Sequence, residues 1–76
     1  MSKLPALKPK DVLRVLLRAG FYIEHQRGSH IRLAHTTIPH LHITVPYHTR
    51  FELPPSIVLS ILKQAELTRE EFLKLL

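Results

Sequence analysis

The spacing of apolar residues changes twice along this chain, from helical to alternating and back to helical. That order constrains the fold more than any other feature. Val12, Leu13, Leu16 and Leu17 fall at i, i+1, i+4 and i+5, one face of a helix. Pro9 suits a first helical position and Gly20 a left-handed stop, so a helix is expected over residues 9–19. Lys10, Arg14 and Arg18 form a basic line on another of its faces. Phe21–Gln26 then alternates imperfectly, Arg27-Gly28-Ser29 reads as a turn, and His30–His35 alternates well. With a three-residue loop, Gln26 would face His30, Glu24 would face Arg32, and Ile23 would face Leu33. The last two are favourable cross-strand pairs, worth roughly 0.2–1 kcal/mol each.

Thr36-Thr37-Ile38-Pro39 is a second turn, and residues 40–45 alternate strictly, with Leu41, Ile43 and Val45 on one face. Aligning the apolar faces gives a three-stranded antiparallel sheet. Its inner face holds Phe21, Ile23, Ile31, Leu33, Leu41, Ile43 and Val45. Its outer face holds Tyr22, Glu24, Gln26, His30, Arg32, His40, His42 and Thr44. Residues 46–53 form a loop. Pro54-Pro55 open a second helix with Ile57, Val58, Ile61, Leu62 and Ala65 on its apolar face, ending near Glu66. Thr68 and Glu71 make a capping box for a short last helix over residues 69–75. The expected fold is α+β: two layers, α-β-β-β-α plus a short C-terminal helix, with the main helices on one sheet face.

At 76 residues there is room for one domain, 1–76, with 1–7 as a tail and 68–76 carrying the short helix. No dinucleotide-binding fold or eight-fold barrel fits this length. The chain has no cysteine, which excludes disulfides and thiolate metal sites. Its apolar runs are too short for a membrane span, and Met1-Ser2-Lys3-Leu4-Pro5 lacks the apolar core of a signal peptide, so the expected location is the cytoplasm. The net charge of +5 is uneven: residues 1–50 hold eight Lys/Arg against Asp11 and Glu24, while the rest is slightly acidic. A polyanion facing the N-terminal part is the natural partner.

All six histidines lie between His25 and His48. Metal binding is one explanation, through His40-x-His42 with His30 or His48, but no recognised ligand spacing or carboxylate accompanies them. No metal or cofactor is therefore expected. A second explanation is structural: His25 and His35 can cap the edge of the core. The third is acid–base chemistry on RNA, whose 2′-hydroxyl supplies its own nucleophile. Imidazole titrates near neutrality and suits the proton steps. Cations and the backbone N–H groups of a tight turn suit the phosphate charge. Gly28-Ser29-His30, flanked by Arg27 and Arg32, is where these features meet. Gly28 can take positive φ, and Ser29 helps to shape the loop.

The ordered combination resembles one family. It runs from Ala19-Gly20-Phe21 through Arg27-Gly28-Ser29-His30 and His35 to Ile43-Thr44-Val45-Pro46 with His48. It closes on Leu59-Ser60-Ile61-Leu62-Lys63-Gln64-Ala65-Glu66-Leu67. Over residues 8–67 the chain resembles the HicA toxins of HicAB toxin–antitoxin systems, the YcfA-like mRNA interferases. The resemblance implies a double-stranded-RNA-binding-domain-like fold. It also implies metal-independent mRNA cleavage that arrests translation until a HicB-type antitoxin covers the toxin. The catalytic histidine of the family's Gly-Ser-His motif corresponds to His30. His35 matches a family histidine usually followed by proline, where this chain has Thr36.

The expected function is thus an endoribonuclease toxin with His30 as general acid or base. Arg27 and Arg32 hold phosphate, Lys10 and Arg14 extend the RNA track, and His48 and Arg50 are further candidates for the same surface. The rivals are a non-catalytic RNA-binding module of the same fold, and a protein-interaction domain whose outer sheet face docks a partner.

Overall fold

The computed structural model describes Leu4, residues 6–48 and residues 51–76. The elements are α1 (Pro9–Arg18), β1 (Phe21–Arg27), β2 (His30–His35), β3 (His42–Pro46), α2 (Pro55–Ala65) and α3 (Arg69–Leu75). The strands form one antiparallel sheet in the order β1-β2-β3. The α+β architecture is the expected one, with helices before and after a three-stranded sheet.

α1 opens on Pro9, whose missing N–H costs nothing at a first-turn position. The Asp11 carboxylate accepts the Lys8 N–H at 3.2 Å. The helix ends at Arg18, Ala19 caps it, and Gly20 follows at φ 101°. Val12, Val15 and Leu16 face the core, whereas Leu13 is half-buried and Leu17 exposed. The buried face is thus turned from the expected one, towards Val15 and away from Leu17.

The β1–β2 hairpin corrects the expected register. Arg27 lies opposite His30, so the turn is the two residues Gly28-Ser29. Gly28 takes φ 58° and Ser29 does not take positive φ, the pattern of a type II′ turn, whose twist matches the strands it joins. Ile23 still faces Leu33, because the register shifts between Ile23 and His25. Glu24 is the extra residue of a β-bulge. The shift brings His25 opposite Arg32 on the outer face and moves Gln26, expected there, opposite Ile31. Glu24 nevertheless reaches Arg32, carboxylate to guanidinium, at 3.2 Å.

β3 starts at His42 rather than His40. The Leu41 N–H donates to the Ile38 carbonyl at 3.1 Å, which closes a β-turn with Pro39 in its second position and draws His40 into the turn. Leu41 remains buried. The core joins Phe21, Ile31, Leu33, Leu41, Ile43 and Val45 of the sheet to Val12, Val15 and Leu16 of α1. Val58, Ile61, Leu62 and Ala65 of α2, Phe72 of α3, and Leu7 and Leu53 outside the named elements complete it. Ile23, expected inside, is 45% exposed: it sits on the edge strand beside the bulge, beyond the helices' cover. Ile57 is likewise exposed rather than packed.

Leu7, expected in a tail, is buried. Its carbonyl accepts the Leu53 N–H at 2.7 Å in an isolated antiparallel bridge, which fastens the segment before α1 to the end of the 46–53 loop. The Thr68–Glu71 capping box forms as expected, with bonds of 3.1 and 2.9 Å. These bonds hold the Glu71 carboxyl below its ordinary pKa.

Candidate nucleic-acid interface

The helices cover only one face of the sheet, so exposed and buried residues alternate along β3 and along β2 as far as Leu33. The uncovered face is built from three cross-strand rows. Arg27, His30 and Pro46 form the row at the turn, His25, Arg32 and Thr44 the middle one, and Tyr22, Ala34 and His42 the last. Successive rows lie about 6.6 Å apart, two residues along a strand.

His30 is the first residue after the turn and is exposed, directly opposite exposed Arg27. The backbone sets this pairing. A two-residue turn makes residues 27 and 30 partners, and Gly28 supplies the positive φ that such a turn needs. The Ser29 carbonyl accepts the Tyr47 N–H, which ties the turn to the chain leaving β3. Arg32 lies one row away with its side chain 47% exposed, its charge shared with Glu24. Glu24 is the one carboxylate on β1, β2 and β3. The face therefore carries an excess of positive charge, with imidazole at three positions, His25, His30 and His42, while exposed His48 lies two residues beyond the end of β3.

The remaining candidates separate. Lys10 joins Lys8, Pro9 and Tyr47 around a cleft of about 160 Å³. Because Tyr47 is bonded to Ser29, this cleft adjoins the hairpin turn. Arg14, exposed one turn further along α1, pairs with Asp11 at 3.2 Å. Arg50 lies outside the described residues. Lys8 and Tyr47 are additions that the sequence reading does not single out. A signal for Tyr47 exists all the same, since pairing Ile31 with Val45 and Leu33 with Ile43 puts Pro46 opposite His30 and its successor at the turn.

His35 has a different occupation. Its Nδ1 accepts the N–H groups of Thr37 and Ile38, both at 3.1 Å. Its Nε2 lies 3.2 Å from the Ala19 carbonyl and so carries the ring proton. The ring meets Phe21 edge-on, centroids 4.9 Å apart at 89°. A Cβ on Gly20 would stand 2.8 Å from His35 Nε2. Gly20, Phe21 and His35 thus form one lock, joining the exit of α1 to the end of β2. His40 lies 3.0 Å from the Glu66 carboxylate. Among the described residues no three His, Asp or Glu side chains group where they could share a metal ion.

Residues 9–67 match the family model for the HicA toxin of bacterial toxin–antitoxin systems. The chain belongs to the HicA toxin family. No curated protein sequence matches it. The matched HicA span contains the whole sheet, the Gly28-Ser29-His30 turn and the His35 lock, while Lys8 and α3 fall outside it. Membership of a toxin–antitoxin family implies an antitoxin partner. Among the described residues no helix of this HicA chain is long and apolar enough to cross a membrane.

Proposed function

We propose that this chain is a metal-independent endoribonuclease that cleaves mRNA, with His30 as its general acid or base. The supporting observation is the position of His30: exposed at the hairpin turn, opposite Arg27, on the sheet face the helices leave uncovered. RNA laid across that face brings a 2′-hydroxyl to the imidazole. His30 takes the 2′-proton or delivers one to the departing 5′-oxygen. Arg27 balances the charge that builds on the phosphorane, and Arg32 holds a neighbouring phosphate. Gly28 and Ser29 act by fixing the turn. Lys10, His48 and Arg50 extend the track, with Arg14 as its outermost element. A HicB-type antitoxin neutralises the toxin by covering this face. The 76 residues act as one cytoplasmic domain.

The test compares wild type with His30→Ala on a single-stranded RNA. Loss of a positioned proton-transfer group should lower cleavage roughly 10²–10⁴-fold and abolish growth arrest on induction. Cleavage should persist in EDTA, since among the described residues the one carboxylate on the strands is already paired with Arg32. A 2′-deoxy nucleotide at the scissile position should block it. Full activity of His30→Ala would refute the proposal. Tight duplex binding without cleavage by wild type would favour a non-catalytic RNA-binding module instead.

A further inference from the structure

The outer sheet face carries an aromatic side chain that the acid–base chemistry does not use. Tyr22 is 45% exposed, although it sits within a strand and its neighbour Phe21 is buried. Its row partner Ala34 faces away from the helices and yet is only 4% exposed. A small side chain on an uncovered face is shielded by its row neighbours, here Tyr22 on one side and His42 on the other. The row is a shallow trough with a methyl floor, walled by a phenol and an imidazole. Tyr22 lies two rows from His30, about 13 Å at the usual strand rise. The middle row between them presents His25, Arg32 and Thr44.

We infer that Tyr22 is a stacking platform for an unpaired base of single-stranded RNA, held about two nucleotides from the phosphate at His30. The location of that phosphate rests on the ribonuclease reading; the binding itself does not. Positively charged side chains along the rows track the backbone, and an exposed aromatic beside them offers a face on which any base can stack. A base still in a duplex cannot present that face. The surface therefore suits unpaired RNA, and the trough sets how far the tracked strand extends past the turn. Tyr22 is a binding residue and takes no part in proton transfer.

The experiment measures binding of a short single-stranded RNA to the full chain carrying His30→Ala, so that no cleavage intervenes. Replacing Tyr22 by Ala in that chain should weaken binding roughly 5- to 150-fold, the usual range for loss of one base–aromatic stack. Tyr22→Phe should restore it, because the ring and not the hydroxyl does the stacking. The salt slope should not change, since no phosphate contact is lost. Scanning one abasic nucleotide along the RNA should find a single position that reproduces the loss, and at that position Tyr22→Ala should add nothing further. Equal affinity with and without the Tyr22→Ala substitution, or an abasic scan with no such position, would overturn the inference. So would a Tyr22→Ala effect confined to capture of a protein partner. If wild type cuts no RNA while the Tyr22-dependent abasic position remains, the ribonuclease reading fails and the platform stands. If wild type cuts and Tyr22→Ala binds and cuts equally well, only the platform falls.

Discussion

Strand β2 begins and ends with histidine, and the two rings live under different conditions. His30, beside the turn, is exposed opposite a guanidinium-bearing residue. His35, at the other end, commits Nδ1 to two backbone N–H donors and Nε2 to a carbonyl, and its ring edge meets Phe21. Among the described residues no hydrogen bond engages the His30 ring, whereas the His35 ring is a three-way backbone connector. The difference teaches that residue type and strand position do not assign a histidine. What assigns it is the occupancy of its ring nitrogens.

The sharpest way to break this comparison is to truncate both rings and read activity and stability separately. His30→Ala should cost cleavage the two to four orders of magnitude given above while moving the urea midpoint little, since an exposed substitution usually changes stability by under about 0.5 kcal/mol. His35→Ala should do the reverse. Losing its backbone bonds and the aromatic contact should lower unfolding free energy by about 2–3 kcal/mol, with cleavage retained wherever the chain is still folded. A folded but inactive His35→Ala would show that the lock reaches the chemistry.

Next in size is Gly20→Ala. It places an L-residue at φ 101° with its Cβ 2.8 Å from a ring that hydrogen bonds hold in place, and about 1–3 kcal/mol of strain is expected. Its cost should shrink in the His35→Ala background, where the clash is gone and only the backbone term remains. Additivity in that double-mutant cycle would show that the two residues are not coupled.

On the His30 side, Glu24→Gln removes the one carboxylate of the strands and frees Arg32. Single-stranded RNA should bind a few-fold tighter, with a salt slope steeper by about 0.7 if Arg32 gains a phosphate. Weaker binding would mean that Glu24 positions Arg32 rather than competing for it.

The smallest effect belongs to α3. Glu71 has its carboxyl pKa lowered by its bonds to Thr68. A depressed acid contributes stability that is present above its ordinary pKa and is lost as pH falls through the lowered one. The stability gap between wild type and Glu71→Gln should therefore be constant near neutrality and close on acidification, with no change in RNA cleavage at neutral pH.

Much of this is legible in the sequence, because periodicity and caps act over a few residues. The order of elements and the α3 capping box follow from such local signals, whereas the Ile23–Leu33 pair comes out as expected only because the bulge offsets the shorter turn. The bulge at Glu24 does not, since inserting one residue leaves the composition of the strand unchanged and alters only what lies across from it. His40 reads as strand because alternation continues through Leu41, while Pro39 folds the backbone into a turn. The Leu7–Leu53 bridge joins two single apolar residues, which carry no period at all. Gly28, Ser29, His30 and Arg27 can be singled out from their spacing, but Lys8 and Tyr47 come to the turn only through the third strand's register.

The bulge also bears on how the molecule keeps to itself. β1 borders the sheet, and a regular border strand offers an evenly spaced ladder of amide and carbonyl groups on which a stranger's strand can zip. At Glu24 that ladder loses its even rungs, and the charged side chains of Glu24 and Arg27 flank the break. The uncovered face is thus bordered on the β1 side by an edge that resists runaway sheet growth.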